Sequence, residues 1–545
     1  MSSKKGAVIK QASFLMAAGL VCRVIGLLYR SPLSGIIGEV GAGYYTFANE
    51  WYSILLLISA YSIPSAISKV MAERLALKRY RDAQKVFYAA LVYALVVAGA
   101  AAVLCYVLAP VLLKNTPGAV MALRVLAPTI LLSAFLGVMR GYFQAHNTML
   151  PTSISQIGEQ IVNAVVSVLA AYLLVKTATT EEAVAELGAT GGTLGTGAGV
   201  IFALLFMLLV YLLNHKTIKK NLANDTSGHS ESFGEVIKVI LLMVTPVIFS
   251  TCVYNVSGVI DQTIYTNMSI VKGITAAEAS RMYSFYGYNC KPIINIPVAL
   301  GSATATAIIP AVASHFALGE RKEAIARIDE CIKFTMFIAI PAAVGLAVLS
   351  CPVIRMLYPS VDYVTAGIML SISAVSVVFY CLSSVTNGVL QGLGKPKLPV
   401  IHAAIALVVN IVSLLLFMWM GMGVYGVIFA TILYSITVCL LNAMSIKEIL
   451  NYRTDMKKCY LVPLGAAVVM GVVVAIIYWV PTVLLKDVFS RYIASAVLTV
   501  VAVVIGVLVY LIMYMSMSKM TDDEIRKLPM GTKILKVVKL LPIKR

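Results

Sequence analysis

Apolar residues form long runs that follow one another along almost the whole chain. Each run has eighteen residues or more, which is enough for a helix to cross a hydrocarbon core of roughly 30 Å. We place such spans near residues 11–30, 44–68, 86–113, 119–139, 151–175, 193–213, 236–264, 283–313, 333–351, 364–390, 398–420, 424–446, 460–480 and 492–517. This pattern predicts an all-α polytopic membrane protein with fourteen transmembrane helices.

The composition supports this class and excludes others. The chain is 60% hydrophobic and 12% charged with a mean hydropathy of +0.91, whereas about a quarter of the residues are charged in soluble domains. Its nine cysteines form no C-x-x-C pair, so neither a disulfide framework nor a zinc site is predicted. Walker and H-E-x-x-H motifs are absent, and the glycine-rich segment 192–199 is expected to serve close helix packing. We therefore expect a protein that is not an enzyme, with no catalytic residue and no metal site.

Positive charges predict the orientation. Fourteen spans place both termini on one side of the membrane, and 31 of the 43 Lys and Arg residues lie on that side. The loop "TATTEEAVAELGATGG" on the other side carries three Glu and no Lys or Arg. The positive-inside rule then predicts that both termini are cytoplasmic. Basic loops facing anionic lipid headgroups account for the net charge of +19 without a nucleic-acid partner.

A repeated pentapeptide indicates an internal duplication. "GVIFA" occurs at 199–203 and again at 426–430, and residues 66–83 align without gaps to 307–324. Three further pairs are each separated by 247 positions, namely Gly141 with Gly388, Gln144 with Gln391, and Asn163 with Asn410. The chain therefore carries a module of six spans twice.

The even number of spans in each copy predicts parallel lobes. Both copies enter the membrane in the same sense, so an axis along the membrane normal should relate them, with the substrate path between them. This is the architecture of an alternating-access transporter. The predicted domains are an N-lobe at 1–234, a C-lobe at 235–455, an extra helix pair at 456–518 and a basic cytoplasmic tail at 519–545. We expect that tail either to lie on the inner leaflet or to be solvated.

Two arginines of the first span are the sharpest functional candidates, since an ionisable side chain in a span costs several kcal/mol. Arg23 and Arg30 are seven residues apart, which places them on one helix face about 10 Å apart. Gly19 and Gly26 leave room on that face for a bulky ligand. Two guanidinium groups suit a diphosphate or another polyanion, because each forks onto phosphate oxygens. Alternatively, Arg30 snorkels to the outer surface and Arg23 pairs with a carboxylate such as Glu50.

Other polar side chains within the spans extend this candidate set. Asp261 is expected to bind a coupling cation, Na⁺ or H⁺, or to balance a cavity arginine; no other cofactor is expected. Lys291 precedes Pro292 in a span whose prolines free backbone carbonyls, as in a bent helix that lines a cavity. For the asparagines, interhelical hydrogen bonding is the alternative to substrate binding. The substrate-binding candidates are Arg23, Arg30, Lys291, Glu50, Glu159, Asn163 and Asn410.

The N-terminal block resembles a known family. "RVIGLLYRSPLSGIIGEVGAGYYTFANEWYSILLLISAYSIPSAISKVMAE" is similar to the first two spans of the SpoVB/YtgP-type proteins of low-GC Gram-positive bacteria. These belong with the MurJ-like lipid flippases in the multidrug/oligosaccharidyl-lipid/polysaccharide (MOP) exporter superfamily. The likeness continues through "KPIINIPVALGSATATAIIPAVAS" and "QGLGKPKLPV" and covers nearly the whole chain.

The resemblance implies a fold and an activity. The fold would be two six-helix lobes in a MATE-like V, plus two helices that form a groove for a lipid tail. The activity would be the movement of an undecaprenyl-pyrophosphate-linked sugar precursor, lipid II in MurJ-like members, from the inner to the outer leaflet of the bacterial cytoplasmic membrane. Arg23 matches a cavity arginine of the family. Arg30 falls one residue later than the family's second arginine, where this chain has Tyr29, and Lys291 lies near a basic residue of the eighth span.

Three functional classes remain open. A flippase for a lipid-linked oligosaccharide, acting as a monomer among membrane lipids, is favoured by the two cations of the first span and the surplus helix pair. Its cargo is either lipid II for peptidoglycan synthesis or another lipid-linked polysaccharide repeat unit. A MATE-type drug/cation antiporter would normally have twelve spans and a cavity dominated by carboxylates. An integral membrane enzyme would need a larger external or cytosolic segment with paired acids.

Overall fold

The computed structural model describes residues 2–61, 63–225, 231–452, 454–485 and 491–518 of the 545-residue chain. All regular structure in these ranges is helical, and no strand occurs in them. The basic tail at 519–545 lies outside the described residues. The chain divides into two compact units, unit 1 (Met1–Ser284) and unit 2 (Phe285–Arg545).

Ten α-helices are described in unit 1. These are α1 (Ser2–Leu28), α2 (Arg30–Leu56), α3 (Ile63–Ala76), α4 (Tyr80–Leu112), α5 (Val120–Ala145), α6 (Leu150–Val175), α7 (Glu181–Leu213), α8 (His215–Ala223), α9 (Phe233–Val271) and α10 (Ala276–Ser284). A π-helical segment, Leu57–Tyr61, continues α2, and a 3-10 turn, Pro117–Ala119, precedes α5.

Nine α-helices are described in unit 2. These are α11 (Lys291–Ala317), α12 (Arg321–Val348), α13 (Ser350–Leu357), α14 (Tyr363–Ser373), α15 (Val375–Gly392), α16 (Lys397–Trp419), α17 (Val424–Leu450), α18 (Val462–Leu484) and α19 (Tyr492–Ser518). π-helical segments, Phe285–Cys290 and Lys457–Leu461, precede α11 and α18.

The predicted spans coincide with helices. Twelve helical stretches of the described residues are long and apolar enough to cross a membrane. The first and seventh predicted spans fall on α1 and α9, which lie outside those twelve. The polytopic all-α class is therefore confirmed.

The first span ends later than the sequence predicts. Tyr29, between α1 and α2, keeps right-handed helical angles (φ −70°, ψ −21°), and its N–H donates to the Ile25 carbonyl at 3.1 Å. The break comes at Gly38, whose φ of 68° is a left-handed conformation that glycine adopts most readily. The predicted end at residue 30 is therefore too early, because the glycine and not the arginine interrupts the helix. Arg23 and Arg30 consequently keep helical spacing.

Glycines bring α6 and α7 close together. A Cβ added to Gly199 would lie 2.5 Å from the Glu159 carbonyl oxygen, and one added to Gly191 would lie 2.5 Å from the Ala171 Cα. Both distances are far below van der Waals contact, so larger residues would force the helices apart. The glycine-rich segment serves helix packing, as its sequence context predicts.

The extra helix pair packs within unit 2, where α18 contacts α12 and α19 contacts α13. The Tyr510 hydroxyl on α19 donates to the Phe337 carbonyl of α12 at 2.9 Å. Tyr492, at the start of α19, donates to the Met356 carbonyl of α13 at 2.7 Å. These two tyrosines, Tyr510 buried and Tyr492 exposed, tie the pair to other helices of unit 2.

Candidate functional site

Arg23 lies on an open face of α1. Its side chain is exposed, although the residue lies inside the first predicted span. A Cβ on Gly19 would meet nothing within 4 Å, and one on Gly26 would come only to 4.0 Å from Oε1 of Gln160. The space predicted around this arginine is therefore present.

Arg30 has a different environment. It is half-buried, and its guanidinium carbon lies 5.9 Å from the centroid of the Tyr45 ring, within the range of a cation–π contact. The hydroxyls of Tyr29 and Tyr45 are 3.1 Å apart. Arg30 is thus placed against a buried tyrosine pair, whereas Arg23 points away from the packed interior.

A third arginine, Arg140 on α5, pairs with Glu159 on α6. Its Nη2 lies 2.7 Å from Oε2 of Glu159, and its Nε donates to the Ser155 hydroxyl at 3.0 Å. The two charged side chains are only 15% and 23% exposed. Both charges act electrostatically on Cys22, the residue before Arg23, and α1 packs against α6. The ion pair therefore lies beside the arginine-bearing face of the first span.

Sequence reasoning found one partner of this pair and missed the other. Glu159 stands out because it lies inside an apolar run. Arg140 directly follows the span predicted at 119–139, where a positive charge is expected of any cytoplasmic loop. The structural difference is that α5 continues to Ala145, so Arg140 is inside the helix.

Glu50 and Asp261 lie where α2 meets α9, in unit 1. A Cβ on Gly258 would come 2.8 Å from Oε2 of Glu50, so this glycine lets the carboxylate approach α9. Asp261, one turn along α9, is 5% exposed, and its neighbour Gln262 donates to the Phe47 carbonyl at 3.3 Å. In the described part of the chain, no group of three or more His, Cys, Asp or Glu side chains could hold a metal ion.

The two asparagines paired by the repeat have different surroundings. Asn163 is 8% exposed, and its Oδ1 accepts from the Ser167 hydroxyl at 3.0 Å. That hydroxyl also lies 2.7 Å from the Gly192 carbonyl of α7, which links the two helices. Asn410 is fully buried, and neither polar atom of its side chain has a hydrogen-bond partner among the described residues. Asn163 therefore takes part in helix packing in this conformation.

Lys291 follows directly after a π-helical segment. π-helical turns are rare and often occur at functional sites. The Lys291 ammonium lies 5.4 Å from the centroid of the Tyr286 ring, and the side chain is half-buried. Pro292 and Pro297 follow it in α11. Lys291 and Asn410 belong to unit 2, whereas the other predicted site residues belong to unit 1.

Comparisons with known proteins agree with one another. The family model described as "Lipid II flippase MurJ" matches residues 83–493. The Lipid II flippase MurJ of Bacillus subtilis (strain 168) is 26% identical over 505 residues, which are 88% of this chain and 89% of that protein. Stage V sporulation protein B of the same organism is 23% identical over 541 residues, covering 96% of this chain and 98% of its own length.

Solved structures share the fold. A Lipid II flippase MurJ in an inward closed conformation matches with a TM-score of 0.65 and 17% identity, over 92% of this chain and 98% of that one. An inward-facing MATE family multidrug transporter of the MOP superfamily matches with a TM-score of 0.56 and 16% identity, over 82% and 99%. At these identities the likeness shows the fold alone. Because the family model covers more than half of the residues, the chain belongs to the MurJ family and is a multi-pass membrane transporter, not an enzyme.

Proposed function

We propose that this chain is an alternating-access flippase that moves an undecaprenyl-pyrophosphate-linked cell-wall precursor, with lipid II as the first candidate, from the inner to the outer leaflet. The observation that carries the proposal is Arg23, an exposed arginine inside a membrane span with open space at Gly19 and Gly26. A guanidinium in that setting suits a pyrophosphate, because its two parallel N–H groups match two phosphate oxygens.

The neighbouring charges have distinct roles in this proposal. Glu159 holds Arg140 in place and neutralises it in the empty site. An arriving pyrophosphate competes with Glu159 for the Arg140 guanidinium, so the anion gains a second cation beside Arg23. Arg30, next to a tyrosine ring, adds positive potential in unit 1, and Lys291, also next to a tyrosine ring, does so in unit 2.

The lipid tail needs a separate apolar surface. The outward faces of α18 and α19 expose valines and isoleucines at intervals of three or four residues, as in Val468, Val472 and Ile476. A pair of helices with such faces offers the polyprenyl chain an apolar surface while the headgroup crosses between polar side chains.

Energy coupling is part of the proposal. Asp261, at 5% exposure in a membrane helix, is the carboxylate assigned to a coupling cation, Na⁺ or H⁺. A buried carboxylate that binds a cation in one conformation more tightly than in another shifts the balance between the two. We assign both termini to the cytoplasm from the distribution of Lys and Arg, and we propose a monomer.

The full-length relative named Stage V sporulation protein B favours a second cargo class. Another lipid-linked polysaccharide repeat unit would present the same pyrophosphate to Arg23 but a different sugar. The structural match to a MATE family transporter leaves a drug/cation antiporter as a further alternative. A lipophilic cation would be repelled by Arg23, which makes this the weaker candidate.

Depletion of the protein in a host that lacks related flippases tests the cargo. We expect one undecaprenyl-pyrophosphate-linked precursor to accumulate in the inner leaflet, and its sugar identifies the substrate. Accumulation of no such precursor, together with increased sensitivity to cationic drugs, would support the antiporter instead. Cysteine labelling tests the topology, which is contradicted if residues 185 and 455 are labelled from the same side.

A further inference from the structure

Unit 2 contains a buried histidine within a hydrogen-bond network. His402 on α16 is 6% exposed. Its Nδ1 lies 2.7 Å from Oδ1 of Asn442, a fully buried residue on α17. Its Nε2 lies 3.2 Å from the hydroxyl of Ser445, one turn further along α17. The site lies about one and a half turns into α16 from Lys397, where α16 begins.

The hydrogen-bond directions around Asn442 follow from its other partners. The Thr386 hydroxyl donates to the Leu382 carbonyl of its own helix at 2.9 Å, so it can only accept from Nδ2 of Asn442, also at 2.9 Å. Nδ2 also donates to Oδ1 of Asn387 at 2.8 Å. The amide nitrogen therefore faces α15, and its oxygen faces His402.

These directions fix the tautomer of the histidine. Because Oδ1 of Asn442 is an acceptor, Nδ1 of His402 must carry the hydrogen. In a neutral imidazole the other nitrogen is then an acceptor, which Ser445 satisfies by donating its hydroxyl hydrogen. The neutral Nδ1–H form leaves no described polar atom of the network unsatisfied.

The lone pair on Nε2 is also a place for a proton. Imidazole is the side chain that titrates between about pH 5 and pH 8. A hydroxyl donates and accepts, so Ser445 can rotate and accept from a protonated Nε2 without movement of the backbone. Ser445 is half-buried, whereas Lys447 and Glu448 just beyond it are exposed. A short route therefore connects Nε2 with the end of α17.

No buried charged residue lies in the described helices that surround His402. Helix α16 packs against α15 and α17. Helix α15 has no charged residue, and the charged residues of α16, α17 and the turn before α16 are exposed: Lys395, Lys397, Lys447 and Glu448. The other titratable side chains of these helices are Tyr380, Cys381, Tyr425, Tyr434 and Cys439. A proton on His402 would thus add a charge to a buried network of amides and hydroxyls.

We propose that Nε2 of His402 is a proton-binding site of unit 2, reached through Ser445. A charge in a buried neutral network is costly, so proton binding favours conformations in which water reaches this end of α16 and α17. The proton thereby shifts the balance between conformations of the transporter. This coupling role rests on the proposed transport function, whereas the proton site itself does not.

Solid-state NMR of the full-length protein, labelled with ¹⁵N-histidine in liposomes, tests the site directly. The variant His402→Asn keeps a donor for Asn442 but cannot take a proton, and His146→Asn in unit 1 is the matched control. We expect one imidazole, missing from His402→Asn and present in His146→Asn, to show the Nδ1–H tautomer at about pH 8 and a second N–H at about pH 5. If His402→Asn fails to insert, removal of the other four histidines assigns the same signal.

The result that would overturn the site is an Nε2–H tautomer, or a signal unchanged across that pH range. The coupling is tested in liposomes with lipid II as the probe and the membrane potential clamped. We expect an imposed pH gradient to change the wild-type flipping rate severalfold and to change the rate of His402→Asn much less, since only Asp261 then remains to bind a proton. Flipping by the wild type that ignores the gradient overturns the coupling. Absence of any lipid II flipping contradicts lipid II as the cargo and leaves the NMR result standing.

Discussion

The two copies of the module place different chemistry at the same helix positions. With the offset of 247 residues, Arg140 corresponds to Asn387 and Ser155 to His402. In unit 1, Arg140 hydrogen-bonds to Ser155 and forms an ion pair with Glu159. In unit 2 the position of Glu159 is taken by an alanine, and Asn442 bridges Asn387 and His402.

The same helix positions thus carry two kinds of chemistry. Unit 1 holds permanent charges, which suit an anionic headgroup because an arginine keeps its charge throughout the cycle. Unit 2 holds a neutral network with one titratable member, which suits a ligand as small as a proton. In our proposal, side chains at equivalent helix positions give unit 1 fixed charges and unit 2 a site for a proton.

The largest effect is expected at Arg23, the cation that the anionic role of unit 1 depends on most. It lies about thirteen residues into the predicted first span, hence roughly 20 Å deep, where a guanidinium cannot easily reach either aqueous surface. Loss of a paired charge costs about 2–5 kcal/mol, so Arg23→Ala should lower the flipping rate roughly 30-fold or more. Lysine keeps the charge but cannot make two parallel N–H contacts with the phosphate. Arg23→Lys should therefore be impaired less than Arg23→Ala.

The measurement is flipping and growth complementation at matched membrane levels. Arg30→Lys is the control, because a cation beside the Tyr45 ring needs no bidentate geometry, and it should be tolerated better. Wild-type flipping by Arg23→Ala would place the polyanion site elsewhere. It would reduce the first span to a structural role.

The ion pair of unit 1 gives the next effect. Removing one partner of a mostly buried pair leaves an uncompensated charge, at a cost of about 3–5 kcal/mol. Arg140→Gln and Glu159→Gln should therefore each lower the apparent melting temperature more than the double variant does. A double-mutant cycle on the purified protein measures this coupling. Additive losses would show that the two charges do not depend on each other, against the neutralising role assigned to Glu159.

The variant Asp261→Asn distinguishes the two proposed coupling groups, Asp261 in unit 1 and His402 in unit 2. If a cation at Asp261 makes transport sensitive to the membrane potential, the substitution should weaken that dependence while the response to a pH gradient through His402 persists. Flipping in liposomes at set potentials and set gradients measures both responses. Unchanged potential and ion responses in Asp261→Asn would remove this carboxylate from the coupling role.

Much of the fold can be predicted from the sequence, because each membrane span and the repeat extend over many residues. The candidate site is harder to predict, because single side chains decide it. From the sequence, Arg140 is interpreted as a loop residue, because the length of α5 is not yet known. The sequence also does not show that helical structure continues past residue 30 to Gly38. His402 is one polar residue in an apolar run, and both of its hydrogen-bond partners lie on another helix, α17. Spacing along one helix cannot show such contacts.

The smallest expected effects come from two serines that serve the two networks. Ser155→Ala removes an acceptor from the charged Nε of Arg140, and hydrogen bonds to charged groups contribute about 1.5–3 kcal/mol. Ser445→Ala removes a donor from the neutral Nε2 of His402, and neutral side-chain hydrogen bonds in membranes average about 0.6 kcal/mol. At about pH 8 the apparent melting temperature in nanodiscs should therefore fall more for Ser155→Ala. Ser413→Ala, whose hydroxyl bonds only a carbonyl of its own helix, is the control. An equal loss for Ser445→Ala would mean that His402 is already charged at that pH, and the contrast between a charged and a neutral copy would be wrong.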